Sequence, residues 1–156
     1  GGGGDALSGR VVHRLPAVRG YEDDDEQHAW VSIPLAAGPA ARFRSGLLTV
    51  RWRDQGWGSQ KGRLYGRIAP SGASATPEPW VALSPHLAPQ KWTEESFALP
   101  AARFGDAARH ASLGASLELA YVVGGKEDGT GHQLQVQEGG LLVLEPRAPD
   151  QCVAVS

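Results

Sequence analysis

The chain has little of several residue types, and each shortage excludes a class of structure. Cys152 is the only cysteine among 156 residues, so neither an internal disulfide nor a paired-cysteine zinc site is available. We expect an ordinary thiol at that position. No apolar run approaches the roughly 20 residues that cross a bilayer, and no signal peptide is visible. The sequence therefore predicts a soluble chain without membrane insertion.

An excess of positive charge is also missing. Lys and Arg number 15 and Asp and Glu number 17, which gives a net charge of −2. This balance argues against nucleic-acid binding driven by bulk electrostatics. Methionine is absent and the chain begins with four glycines, which we interpret as a trimmed N-terminus. The compartment stays open, with the cytoplasm as the default expectation.

Glycine and proline are abundant. The 21 Gly and 11 Pro residues are many for a helical protein but natural for short strands joined by turns. A chain of this length fits one domain. We predict a flexible N-terminus over residues 1–10, a single β-sandwich domain over residues 11–147 and a C-terminal tail over residues 148–156.

The clearest strand pattern spans Leu47–Ile68. Two alternating runs flank a polar, glycine-rich turn, and together they predict a β-hairpin. Alternation places three residues of the first run toward the core, namely Leu48, Val50 and Trp52. In the return run, one face carries Leu64, Gly66 and Ile68.

The opposite face of this predicted hairpin is basic. It carries Arg51, Arg53, Arg63, Tyr65 and Arg67. One interpretation is a solvated sheet face on which the arginines pair with glutamates of neighbouring strands. The other is a groove for an anionic or sugar ligand, because a guanidinium group binds oxyanions in bidentate fashion and aromatic faces accept cations and sugar rings.

The turn of the hairpin supplies a second set of candidates. Asp54, Gln55 and Trp57 stand at the tip, with Lys61 nearby, and this position favours ligand binding at the loop end. The alternative is structural: the Asp and Gln side chains bond turn amides, and the Trp ring packs against the end of the domain.

Other segments extend the strand pattern. Val11–Leu15 is predicted to be an edge strand ended by Pro16, and Ala29–Leu35 an edge strand because Pro34 within it cannot donate a ladder hydrogen bond. Ser116–Val123 predicts a strand with one apolar face. Residues 132–137 alternate up to a turn at residues 138–140, which predicts a second hairpin. Leu141–Leu144 is apolar on both faces, as in a strand covered on both sides. Residues 100–111 predict a turn or short helix.

An acidic run occupies Tyr21–His28, with five consecutive carboxylates. Carboxylates suit Ca²⁺, but the run lacks the alternating ligand spacing and turn glycine of a calcium-binding loop. A solvated acidic loop is the main interpretation, and calcium binding is the alternative. No cofactor is indicated.

Catalytic signatures are missing from the sequence. The five histidines are scattered without an HExxH or GxSxG arrangement, and the glycine-rich segment at residues 124–131 lacks the lysine placement and the following helix that a phosphate-binding loop requires. His132 at its end reads as structural. We expect a protein that is not an enzyme.

Taken together, eight or so short strands with little helix predict an all-β sandwich of two antiparallel sheets. A broken N-terminal strand, a long strand ending in a Trp-bearing loop and two late hairpins resemble the galactose-binding-like jelly-roll sandwiches, in layout over Val31–Glu145. The segment RDQGWGSQKG, residues 53–62, resembles a short stretch of eukaryotic proteins of uncharacterised function. The first resemblance implies binding of sugars, lipid head groups or proteins through loops.

Two functions follow from these expectations, and a third, hydrolase activity, would require a His and a carboxylate within about 3 Å in a concave pocket. The first is a non-catalytic module that binds a carbohydrate or another small polar ligand, at the loop end or on the basic sheet face. The second is a protein-interaction or structural domain of a larger assembly, in which the sandwich edges or the acidic loop contact a protein partner.

Overall fold

The computed structural model describes residues 11–21, 24–35, 43–54, 61–70, 78–99, 104, 115–124 and 133–146. Within these ranges all regular secondary structure is β-strand. The strands in chain order are β1 (Val11–Leu15), β2 (Val18–Gly20), β3 (His28–Leu35), β4 (Phe43–Asp54), β5 (Arg63–Pro70), β6 (Val81–Ala82), β7 (Thr93–Ala98), β8 (Ala115–Val122), β9 (Leu134–Val136) and β10 (Gly140–Pro146). The predicted all-β class is confirmed.

The strands form two antiparallel sheets. In the first sheet β4 is central: β7 pairs along one of its edges, and β10 and β9 pair in succession along the other. β1 and β2 pair in turn with β10 and β9. The second sheet has the order β3-β8-β5-β6. Since β1 with β2, and β9 with β10, each act as one interrupted strand, the ten segments make eight strand positions.

The eight strand positions pair in a nested order, from the outermost pair (first with last) to the innermost pair (fourth with fifth). The first position pairs with the last through β1 and β10, and β3 then pairs with β8. β4 pairs with β7, and β5 with β6. This nested pairing, wrapped into two facing sheets, is the jelly-roll topology. The expected sandwich of about eight strands is therefore confirmed from the pairing itself.

The predicted hairpin over Leu47–Ile68 is wrong. β4 belongs to the first sheet and β5 to the second, and the two strands do not pair. Their apolar faces do point to a common core, but from opposite sides: Trp52 and Leu64 are both fully buried. The outward residues therefore lie on opposite surfaces of the sandwich, and no single basic face joins Arg53 to Arg67.

The second predicted hairpin, around residues 138–140, is also wrong. Trp52 lies opposite Val136 and Thr49 opposite Leu141, so β9 and β10 run in the same direction along β4. The four residues from Gln137 to Gly140 lie opposite only two residues of β4. The turn signal therefore marks an irregular bulge rather than a chain reversal.

The core lies between the two sheets and is mostly aliphatic. Its fully buried side chains include Trp52, Leu48, Leu64, Ile68, Leu117, Leu119, Leu134 and Leu142. β1 and β3 are edge strands as predicted, and β8 presents its apolar face inward. β10 is a central strand, but its coverage on both sides is not found, because Leu141 is 41% exposed on the outer face.

Several predictions fall outside the described residues. They concern the flexible N-terminus at residues 1–10, the tail at residues 148–156, the environment of Cys152 and most of the short helix at residues 100–111. Within the described part of the chain, no helix is long and apolar enough to cross a membrane.

Candidate binding groove

An open depression of about 520 Å³ lies on the outer face of the first sheet, beside the interruptions of β1–β2 and β9–β10. We call it the outer groove. Its polar and aromatic lining consists of Arg19, Arg51, Trp92, Gln135, Gln137 and Glu138. The bulge at residues 137–140 lies at this depression, where the regular pairing of β4 with β9 and β10 is interrupted.

A smaller depression of about 200 Å³ continues the outer groove along the same face. Arg51, Gln137 and Glu138 line both depressions. The smaller one adds Thr49 and Glu94 to the polar lining. The two form an elongated surface that follows β4, with both polar and apolar residues in its lining.

Arg53 holds two of the groove side chains in place. Its Nε donates to Oε1 of Gln135 at 2.8 Å, and its guanidinium carbon lies 4.7 Å from the ring centroid of Trp92. Register explains the first contact, because Arg53 and Gln135 are opposite each other on β4 and β9. The indole and the amide therefore need little ordering when a ligand binds.

The electrostatics of the outer groove are mixed. Among the described residues, Arg19 and Arg51 have neither an ion pair nor a side-chain hydrogen bond with another residue. Glu138 on the bulge is exposed. The groove thus offers two guanidinium groups, two amides, a carboxylate and an indole, a set that hydrogen-bonds hydroxyl and carboxylate groups alike.

The other predicted arginines lie on the outer face of the second sheet. There Arg67 stacks on Trp80, with its guanidinium carbon 4.0 Å from the ring centroid, and donates from Nε to Glu118 at 2.7 Å. Tyr65 and Arg63 share this face, half-buried. The charge of Arg67 is thus paired with Glu118 on the neighbouring strand β8, and a binding role for this face stays a prediction.

The loop-end candidates divide into three cases. Asp54 is 2% exposed at the end of β4, and its backbone N–H donates to the Pro89 carbonyl at 2.8 Å. Lys61 is half-buried and packs against Gly124. Gln55 and Trp57 lie outside the described residues. The predicted binding role of the loop end stays a prediction.

A histidine–carboxylate pair lies at the edge of the core. Nε2 of His86 is 2.6 Å from Glu95, and the other Glu95 oxygen accepts the indole N–H of Trp52 at 2.9 Å. Nδ1 of His86 lies 2.8 Å from the Leu87 carbonyl. This carbonyl, together with Glu95, raises the pKa of His86. Both imidazole nitrogens and both carboxylate oxygens are thereby engaged.

The described part of the acidic run forms a local turn. Asp24 accepts hydrogen bonds from the Glu26 N–H at 3.0 Å and from Nε2 of His28 at 2.7 Å. The hydrogen bond from His28 lowers the pKa of Asp24. Among the residues that the structure describes, no three His, Cys, Asp or Glu side chains gather into a metal site; Glu22 and Asp23 are outside that set. The calcium alternative stays a prediction.

Sequence reasoning identified Arg53 but missed the groove that it organises. Trp92, Arg19, Gln135 and Gln137 come from three other strand regions, and only the tertiary pairing brings them together. One signal was present, since Gln135 and Gln137 alternate outward along their strand. Trp92 has no such signal, because both faces of the segment around β7 carry polar residues.

Comparisons with known proteins show no family for this chain. No protein-family model matches the chain, and no curated protein matches it. A solved structure of infectious bursal disease virus Gx strain is 14% identical with a TM-score of 0.49, covering 86% of this chain and 32% of that chain. A solved structure of the Gt strain is 13% identical with a TM-score of 0.43, covering 88% of this chain and 33% of that chain.

The chain thus spans about a third of the length of the solved chains that it matches. The jelly-roll assignment rests on the strand pairing described above. Membership of the galactose-binding-like family is not shown, and neither is the resemblance of the RDQGWG segment.

Proposed function

We propose that the domain is a non-catalytic binding module that holds a carbohydrate in the outer groove. The observation that carries the proposal is the placement of Trp92 beside unpaired arginines and outward glutamines in one open depression. Small-ligand sites combine an apolar or aromatic surface with a few placed polar groups. A sugar has both features, with a C–H face for the indole and hydroxyl groups for the amides and guanidinium groups.

Preorganisation supports the same proposal. Because Arg53 fixes the Trp92 ring and the Gln135 amide, the ligand does not have to order them. The length of the groove along β4 fits a chain of sugar units better than a single ring. Arg19 and Arg51 also suit a carboxylate or sulfate group on such a chain.

The absence of catalysis is part of the proposal. General acid–base chemistry needs a side chain that can exchange a proton with the substrate, and a histidine next to a carboxylate, such as His86 at 2.6 Å from Glu95, is a candidate for that role. However, Nδ1 of His86 is taken by the Leu87 carbonyl and Nε2 by Glu95. No imidazole nitrogen is left to accept a proton from a substrate, so the pair reads as a structural bridge between Trp52 and residues 84–88.

The groove is tested by a matched pair of tryptophan variants. Glycan-array screening followed by calorimetry on the best ligand should show binding by the wild type. Trp92→Ala should weaken it about tenfold, which is about 1.4 kcal/mol, because the aromatic wall is lost. Trp80→Ala is the control, since Trp80 is also stacked on an arginine but lies on the opposite sheet. An equal loss in both variants, or no glycan bound by the wild type, would contradict the proposal.

An apolar row favours the second candidate function, a protein contact. On the outer face of the first sheet, Val12 lies opposite Val143, and Val143 lies opposite Leu47. Val12 is 49% exposed and Leu47 44% exposed, and Leu141 beside them is 41% exposed. Single exposed apolar residues are ordinary, but contiguous ones mark interaction surfaces. An apolar row is self-complementary, so a second copy of the chain is the simplest occupant.

Sedimentation velocity over a range of concentrations tests this second function. The wild type should associate as the concentration rises, and Leu47→Glu should remain monomeric because a charge in the row cannot be desolvated cheaply. Leu87→Glu is the matched control, since Leu87 is 40% exposed in the connection between β6 and β7. A wild type that stays monomeric at every concentration would rule out self-association through the row.

A further inference from the structure

A second cavity, of about 450 Å³, lies at the open edge of the sandwich. It is bounded by the edge strands β6 and β7 of the two sheets. Arg63, Ser84 and Ser96 supply its polar lining. It lies apart from the outer groove, with which it shares no lining residue.

Arg63 lines this cavity, and among the described residues it has no counterion. Its Nε is sealed from solvent and has no hydrogen-bond acceptor, and no ion pair joins its guanidinium to a carboxylate within the described ranges. Arg67, on the same face of the same strand, pairs with Glu118. A partly desolvated cation without a partner is costly, and such a group in a native fold calls for a bound ion, a water molecule or a ligand.

A second hydrogen-bond donor is available beside it. Ser84 is 2% exposed, and its Oγ accepts the backbone N–H of Leu64 at 3.2 Å. The hydroxyl proton therefore remains to be donated, because no acceptor for it occurs in the described part of the chain. Arg63 also interacts electrostatically with His86, whose own charge is paired with Glu95.

We propose that this cavity binds an oxyanion, namely a phosphate, sulfate or carboxylate group, with Arg63 supplying the charge and Ser84 a hydroxyl donor. The anion provides the countercharge that the half-buried Arg63 lacks among the described residues, and planar guanidinium geometry suits two oxygens at once. The cavity exceeds the size of one such group, so the group is either a free ion or part of a larger polar molecule. This site is independent of the outer groove and of its ligand.

Nuclear magnetic resonance provides the test, with the Arg63 Nε–H and the Leu64 amide as probes. Sodium phosphate is titrated into the whole chain at constant ionic strength, with chloride as the balancing anion. Both resonances should shift and saturate in the wild type. In Arg63→Gln the affinity for phosphate should fall about tenfold or more, since a charged hydrogen bond is lost. Because this variant has no Arg63 Nε–H, its affinity is measured from the Leu64 amide. Arg67→Gln is the matched control and should bind phosphate as the wild type does.

Two further arms complete the design. Arg63→Lys keeps the positive charge and replaces Arg63→Gln in the titration if that variant is poorly folded. The phosphate affinity of Arg63→Lys should lie between those of the wild type and Arg63→Gln. O-phosphoserine identifies the source, because tighter binding than inorganic phosphate indicates a group carried by a larger molecule. Shifts that grow linearly with phosphate, or that saturate equally in Arg63→Gln, would overturn the proposal.

Discussion

Replacing Trp52 by alanine is expected to lower the free energy of unfolding by about 3–5 kcal/mol. Trp52 is fully buried on the inner face of β4, and its ring meets Phe97 edge-on with centroids 5.6 Å apart. Its indole N–H also satisfies one oxygen of Glu95. Truncation removes the packing, leaves a cavity and withdraws a donor from a half-buried carboxylate. Urea unfolding followed by circular dichroism measures the change.

Two other variants separate the causes of this loss. Trp52→Phe keeps most of the ring volume but loses the donor, and should cost about 1–3 kcal/mol. Trp80→Ala removes an outer-face tryptophan stacked on Arg67 and should cost about 1 kcal/mol. If Trp52→Ala were no more destabilising than Trp80→Ala, the central place of Trp52 in the core would be wrong.

The fold could be predicted from the sequence to the level of strands and faces. Alternation located the inward residues of β4 and β5 because side-chain direction is a local property. It could not say which strands pair, since Leu48 and Leu64 look the same whether their strands are neighbours or face each other across the core. The assumption that consecutive strands form a hairpin failed where the chain crosses from one sheet to the other.

The same limit explains the candidate sites. Arg53 and Arg67 are equivalent in the sequence, each outward on an alternating strand. The structure gives one a glutamine and a groove tryptophan, and the other a glutamate that neutralises it. Arg63 differs again, because the cavity beside it is made by the edges of two sheets. Which arginine remains available to a ligand is therefore decided by tertiary neighbours, which residue type and spacing do not encode.

Alanine at Gly124 is expected to cost about 2–5 kcal/mol of stability, the sum of backbone strain and a steric clash. Gly124 has a φ of 117°, which side-chain-bearing residues rarely adopt. A Cβ there would also lie 2.4 Å from Cβ of Lys61. Thermal and urea unfolding of the two glycine variants, Gly124→Ala and Gly139→Ala, provide the measurement. Gly139 has a φ of 96°, but the nearest atom to its added Cβ is 3.6 Å away, so it should show the strain alone, about 1–3 kcal/mol.

The clash can be isolated with a second substitution at Lys61. Lys61→Gly removes the opposing Cβ and should recover about 1–2 kcal/mol of the loss in Gly124→Ala, as a coupling energy between neighbours. Lys61→Ala keeps that Cβ and should recover much less, although it removes the same charge. Equal recovery by both would mean that the long side chain, rather than the close approach of the two backbones, opposes a larger residue at Gly124. If neither Lys61 substitution recovered stability in Gly124→Ala, the positive φ of Gly124 would be the whole cause of the loss.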